Sequence, residues 1–156
     1  MKHVLIVAGE ICSGKDTFVK SIAQQSNRNI CQIDLGELVR EKFKTKDRVF
    51  DNNLEPYFIE RITDLTKDID DKDLIIVTGV RQPSLTQKIA ALFDSVEYVY
   101  LVVPRKILQE RYQNRGATKD KKITFIDAIR GDQSLGMREL QHYLLTEVEC
   151  NFIKNY

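Results

Sequence analysis

No stretch of this chain is apolar for the roughly 18 to 20 residues that a bilayer-spanning helix needs, so no membrane partner is expected. Cysteine is scarce and scattered: Cys12, Cys31 and Cys150 include no Cys-x-x-Cys pair, which points away from a zinc site or a disulfide framework and toward a reducing, cytoplasmic setting. Net charge is close to nil, 24 Lys and Arg against 23 Asp and Glu for a formal +1. No general attraction to nucleic acid follows, and any phosphate binding has to come from locally placed arginines. Internal repeats, linkers and low-complexity segments are absent, and with a strand starting almost at once no signal peptide is expected. At 156 residues the expectation is one domain over 1–156 with a substantial core.

What is present is concentrated first in residues 4–17, Val-Leu-Ile-Val-Ala-Gly-Glu-Ile-Cys-Ser-Gly-Lys-Asp-Thr. Val4 to Ala8 fit a buried parallel strand, and a helical pattern follows Lys15. The spacing of Gly9, Gly14 and Lys15 is that of a phosphate-binding loop, with Glu10, Ile11, Cys12 and Ser13 making its arch. Glycines let the backbone curl so that consecutive N–H groups turn inward. Together with the first turn of the next helix they form an anion cradle, and Lys15 reaches the β- and γ-phosphates of a bound nucleotide. Cys12 reads as small filler in this arch.

Further along, apolar spacing predicts a helix over about 14–26, a short strand over 30–33, a turn at Asp34-Leu35-Gly36, and a helix carrying Leu38, Val39 and Phe43. Residues 45–53 are polar and aperiodic. Leu54, Phe58, Ile62, Leu65 and Ile69 recur at helical spacing, and 74–78 make a third strand with Gly79-Val80-Arg81 at its end. Pro83 opens another helix, 96–103 form a fourth strand, and a helix over 107–115 is capped by Gly116. Helical patterns flank Gly136, and 148–153 read as a fifth strand. Strands alternating with helices give an α/β, three-layer α/β/α chain with a five-stranded parallel sheet. Its ligand sits at the carboxyl ends of the strands. Arg40, Arg81, Arg111, Arg115, Arg130 and Arg138 can all reach that edge. Phosphoryl transfer needs such a second set of cations, because the protein positions two phosphate groups and neutralises spreading charge.

Lysine, one residue, then threonine resembles the loop of the nucleoside monophosphate kinases. Ser13-Gly-Lys-Asp-Thr17 is most similar to that of phage deoxynucleoside monophosphate kinases. Gly36-Glu-Leu-Val-Arg40 resembles the acceptor-phosphate segment of adenylate-kinase-type enzymes, Thr78-Gly-Val-Arg81 a shortened form of their Asp-Gly-x-Arg segment, and Arg111-Tyr-Gln-Asn-Arg115-Gly the arginines leading into their lid. The resemblance implies a P-loop NTPase fold with acceptor-binding helices over about 36–70 and a short lid over about 115–123. It implies transfer of the γ-phosphoryl group of ATP to a nucleoside or deoxynucleoside monophosphate, by a monomer or homodimer. ATP would be held by residues 9–17 and Arg111, and the acceptor by Asp34, Glu37, Arg40 and Arg81. Mg²⁺ would be held by Thr17 and Asp16, and Lys15, Arg81, Arg111 and Arg115 would be catalytic.

The segment from Arg111 onward, with Arg130-Gly-Asp132, is also similar to dephospho-CoA kinase and archaeal adenylate-kinase-like ATPases. That similarity implies an alternative in which a hydroxyl is phosphorylated with Asp34, Glu37 or Asp16 as base. A second alternative is an ATP-binding module with little transfer. Two departures bear on these readings. Thr78 stands where the family places an acidic residue near the magnesium, and the last strand runs almost to Tyr156, which implies a donor-base site that is open or completed by another subunit. Tyr57 and Phe58 are read either as core or as the acceptor-base pocket.

Overall fold

The computed structural model describes residues 2–51, 53–116 and 122–156. The elements run β1 (His3–Gly9), α1 (Lys15–Gln25), β2 (Ile30–Asp34), α2 (Leu35–Phe43), α3 (Glu55–Thr66), β3 (Leu74–Thr78), α4 (Pro83–Ala90), β4 (Ser95–Val102), α5 (Arg105–Arg115), α6 (Phe125–Leu135), α7 (Met137–Thr146) and β5 (Cys150–Lys154). The sheet is parallel throughout, in the order β2-β3-β1-β4-β5.

Period-two alternation decides which side of the sheet each residue serves. Val4, Ile6 and Ala8 of β1 join Ile33, Ile75, Val77, Tyr98 and Tyr100 in a core covered by α2, α3, α4 and α7. Leu5, Val7, Ile76, Val99 and Leu101 face the other way, onto Val19, Phe18 and Ile22 of α1. A third cluster joins Ile11 of the loop to Tyr112 of α5 and to Ala128 and Ile129 of α6. The α/β/α layering and five parallel strands expected from the sequence are therefore the observed fold.

One element differs. The turn expected at Asp34-Leu35-Gly36 is the start of α2, because the Asp34 carboxylate accepts the Gly36 amide at 2.9 Å and caps the helix. Gly136, with φ 116°, breaks the C-terminal helical pattern into α6 and α7. The expected lid has its middle, 117–121, outside the described residues. No helix among the described residues is long and apolar enough to cross a membrane.

Ile62, fully buried in the larger core, provides the test of this packing. Ile62→Ala is expected to lower unfolding free energy by about 2–5 kcal/mol, measured by urea titration with an unchanged slope. A loss below about 1 kcal/mol would place the residue outside a close-packed core.

Candidate active site

β1 is the middle strand, and the loop at its carboxyl end lies where the strand order reverses, the place at which ligands enter such sheets. Two residues of the loop, Cys12 (φ 62°) and Gly14 (φ 91°), take left-handed backbone conformations that turn the chain back on itself. Cys12 is thus a turn residue rather than filler. The loop closes through the Ser13 amide on the Glu10 carbonyl at 3.1 Å and enters α1 through the Phe18 amide on the Gly14 carbonyl at 2.9 Å. A Cβ on Gly14 would come within 2.5 Å of Asn155 Nδ2, so close packing adds to the need for glycine there.

Lys15 is half-buried as a residue, with its ammonium the enclosed end. Nζ donates to the Gly9 carbonyl at 3.0 Å and to the Glu10 carbonyl at 3.1 Å, and lies 3.5 Å from Ser13 Oγ. Burial and then the neighbouring Arg81 guanidinium push its pKa down to about 8. The loop holds the ammonium where phosphate oxygens would arrive.

Around it opens a cleft of about 270 Å³ lined by loop residues 11–17, Asp34, Gly36, Arg40, Arg48, Thr78, Gly79, Arg81, Arg111 and Arg115. Each arginine comes from a different reason of local structure. Arg40 sits in the last turn of α2, Arg81 two residues beyond Gly79 at the end of β3, and Arg111 and Arg115 on one face of α5. Arg111 is tied to the loop and to the chain's last strand: its Nη1 donates to the Cys12 carbonyl at 3.2 Å and its Nη2 to the Asn155 carbonyl at 2.7 Å. Arg115 stacks 5.9 Å from the Tyr112 ring. Arg130 and Arg138, by contrast, are exposed and outside the cleft.

The remaining expected residues divide. Glu10 points at Arg105, 3.2 Å away, and burial raises its pKa. Asp16 and Thr17 are exposed at the start of α1 and line the cleft, with Asp16 accepting from Gln32 Nε2 at 3.3 Å. Asp34 lines the cleft beside Thr78, whose buried hydroxyl has no hydrogen-bond partner. That orphaned oxygen, with Thr17 and Asp34, is a hard-oxygen donor set of the kind Mg²⁺ accepts alongside water and substrate phosphates. Glu37 lies outside the cleft, in a side groove with Asp16, Lys20, Gln32 and Asp34, and burial raises its pKa.

A second, smaller pocket of about 50 Å³ adjoins the cleft and shares Gly36, Arg40, Arg48, Gly79 and Arg81 with it. Its other walls are Leu35, Val39, Val49, Phe50, Leu54, Phe58, Leu85 and Leu135, with Asp51, Glu55 and Gln82. Phe58 belongs both to the core and to this wall, whereas Tyr57 packs on the core and donates from Oη to the Leu38 carbonyl at 3.1 Å.

Three residues of the site escaped the sequence reading. Arg48 lies in the aperiodic 45–53 stretch, where no spacing gives direction. Asn155 donates from Nδ2 to the Ser13 carbonyl at 2.7 Å, a contact 142 residues apart that only the β4–β5 pairing creates. Asp132 is buried against Arg81, with Oδ1 2.6 Å from Nε; the motif around it was visible, but the weight fell on its arginine.

The depressed pKa of Lys15 sets a pH dependence. In the ligand-free protein, ATP affinity is expected to fall by up to about ten-fold per pH unit above about 8, with proton uptake on binding, both read by calorimetric titration in buffers of different ionisation heat. The sign for stability is the reverse. Between about 8 and the ordinary 10.5 the unfolded chain holds the extra proton, so the ligand-free fold gains stability as pH rises across that window. Affinity that stays flat from about pH 7 to 9 would contradict the enclosed ammonium.

A UPF0200 protein of Pyrobaculum aerophilum is 26% identical over 125 residues, 77% of this chain and 70% of that protein. A gluconokinase from Sinorhizobium meliloti has a similar fold, with a TM-score of 0.66 at 14% identity over 98% of this chain and 82% of its own. A sugar kinase from a Janibacter species has a TM-score of 0.60 at 17% identity, covering 99% and 84%. The family model for shikimate kinase matches residues 11–148. With that match running from inside the phosphate loop to the turn before β5, the chain belongs to the shikimate kinase family and is a P-loop phosphotransferase.

Proposed function

We propose that the protein transfers the γ-phosphoryl group of ATP to the phosphate of a nucleoside or deoxynucleoside monophosphate. The observation that carries this reading is the overlap of cleft and pocket at Arg40, Arg48 and Arg81. Three guanidiniums where cleft and pocket meet suit an acceptor with an anionic end, and the Phe50 and Phe58 rings suit a flat body whose polar edge Asp51, Glu55 and Gln82 could bond.

In this reading the loop amides and Lys15 hold the donor phosphates, while Arg111 and Arg115 take up charge as the γ-phosphoryl group moves. Arg40, Arg48 and Arg81 hold the acceptor phosphate in line. Its oxygen is already an anion, so no general base is required. Mg²⁺, held by Thr17 with Asp34 and Thr78 nearby, would supply charge neutralisation across the donor phosphates. Asp16, which lines the same cleft, would serve its water shell.

One observation favours a second reading, phosphorylation of a hydroxyl. The family matched is the shikimate kinases, and the Asp34 carboxylate lines the cleft as a candidate base. Asp34→Asn separates the two: an abolished carboxylate-range limb in the pH–rate profile supports the hydroxyl acceptor, and a retained profile supports the phosphate acceptor.

The direct test is Mg-ATP phosphotransfer to the common ribo- and deoxyribonucleoside monophosphates, shikimate, gluconate and dephospho-CoA, read by mass spectrometry. A new nucleoside diphosphate is expected, reduced by about 10²-fold or more in Lys15→Ala, while Arg40→Ala raises the acceptor KM with a smaller effect on ATP. Conversion of hydroxyl acceptors alone, or near-normal turnover by Lys15→Ala, would refute the proposal.

A further inference from the structure

Arg81 is held before any ligand arrives. Its Nε donates to Asp132 Oδ1 at 2.6 Å and its Nη1 to the Gly79 carbonyl at 2.9 Å. A guanidinium has five N–H donors, so two are used and three remain for a ligand oxygen. Asp132 is 1% exposed, and its other oxygen, Oδ2, is buried without a hydrogen-bond partner. A buried carboxylate bonded through one oxygen is a costly arrangement, and an apolar residue at the same place on α6 would be cheaper for folding alone.

The neighbouring residue shows what α6 is touching. A Cβ on Gly131 would lie 2.5 Å from Phe50 Cε1 and 2.5 Å from Phe50 Cζ, so the Phe50 ring rests directly on the helix backbone. Phe50 is a wall of the pocket beside the cleft. The same loop is joined to the segment before α6 by the Lys122–Asp47 ion pair at 3.0 Å. Two adjacent residues of one helix therefore meet the wall of that pocket and the arginine it shares with the cleft.

We propose that Asp132 is a positioning residue: it fixes the Arg81 guanidinium so that its remaining donors face the acceptor phosphate, and with Gly131 seating the Phe50 ring it makes α6 the strut joining pocket wall and phosphate arginine. The proposal rests on the acceptor reading given above. It assigns Asp132 no contact with substrate. Asp132→Asn keeps the size and one accepting oxygen but removes the charge that locks the guanidinium, and Asp132→Glu keeps the charge but displaces it.

The test compares wild type, Asp132→Asn, Asp132→Glu, Arg81→Ala and the Asp132→Asn/Arg81→Ala double variant. Measured are ATP Kd, acceptor KM and kcat, and hydrogen exchange at the Arg81 Nε–Hε resonance, identified by its loss in Arg81→Ala. Asp132→Asn is expected to raise acceptor KM by about ten-fold or more while ATP Kd stays within about three-fold, and to make the Arg81 Nε–Hε proton exchange rapidly. It should add less than about two-fold to the defect of Arg81→Ala, and Asp132→Glu should restore part of the loss. Should Asp132→Asn fail to fold, the same comparison is made with Asp132→Glu, expected to show a smaller KM rise at unchanged ATP Kd. An active wild type with unchanged KM in these variants, effects that multiply with Arg81→Ala, or ATP affinity lost in step with KM would overturn the proposal. A wild type that binds ATP yet phosphorylates no monophosphate refutes the acceptor reading itself, and the positioning role falls with it.

Discussion

Everything in this protein depends on holding six cationic side chains, Lys15, Arg40, Arg48, Arg81, Arg111 and Arg115, around one cleft. Brought together in water they would repel; here three of them are held by bonds to different parts of the fold. Lys15 is anchored on two loop carbonyls, Arg111 on the Cys12 and Asn155 carbonyls, and Arg81 on Asp132 and the Gly79 carbonyl. Carbonyls supply partial negative charge without neutralising the site, so the stored attraction for phosphate oxygens is kept. The lowered pKa of Lys15, with burial its first cause and Arg81 its second, is the visible cost of that concentration.

The sheet provides the geometry. β1 lies between β3 and β4, so the phosphate loop, the Gly79–Arg81 segment and the residues after β4 all emerge at one edge. The β4–β5 pairing then brings Asn155 back over the loop, where it holds the Ser13 carbonyl and leaves no space for a side chain at Gly14. The segment after β5 thereby helps shape the cleft that opens at the end of β1.

Much of this was legible in the sequence because strong local signals agreed. The apolar run before Gly9 and the glycine-lysine spacing after it state strand, loop and helix together, and an unbroken apolar run is what a strand covered on both faces needs. What was not legible depends on tertiary contact. Asp34-Leu35-Gly36 reads as a turn, since its composition cannot show that the Asp34 carboxylate will cap α2. Arg48 has no periodic neighbours to orient it. Arg130 and Asp132 are two residues apart on α6, so roughly 200° of helix separates them: one side chain faces water and the other is buried against Arg81. Glu37, placed with the acceptor by resemblance, lies in the side groove beside Asp16.

The central claim is that one cleft seats donor and acceptor phosphates together. Binding of a bisubstrate analogue, adenosine joined through five phosphates to a second nucleoside, measures this most directly against ATP alone by calorimetry. The account predicts binding tighter than ATP by about 10²-fold or more, lost on replacing Arg40 or Arg81. An analogue that binds no tighter than ATP would contradict it.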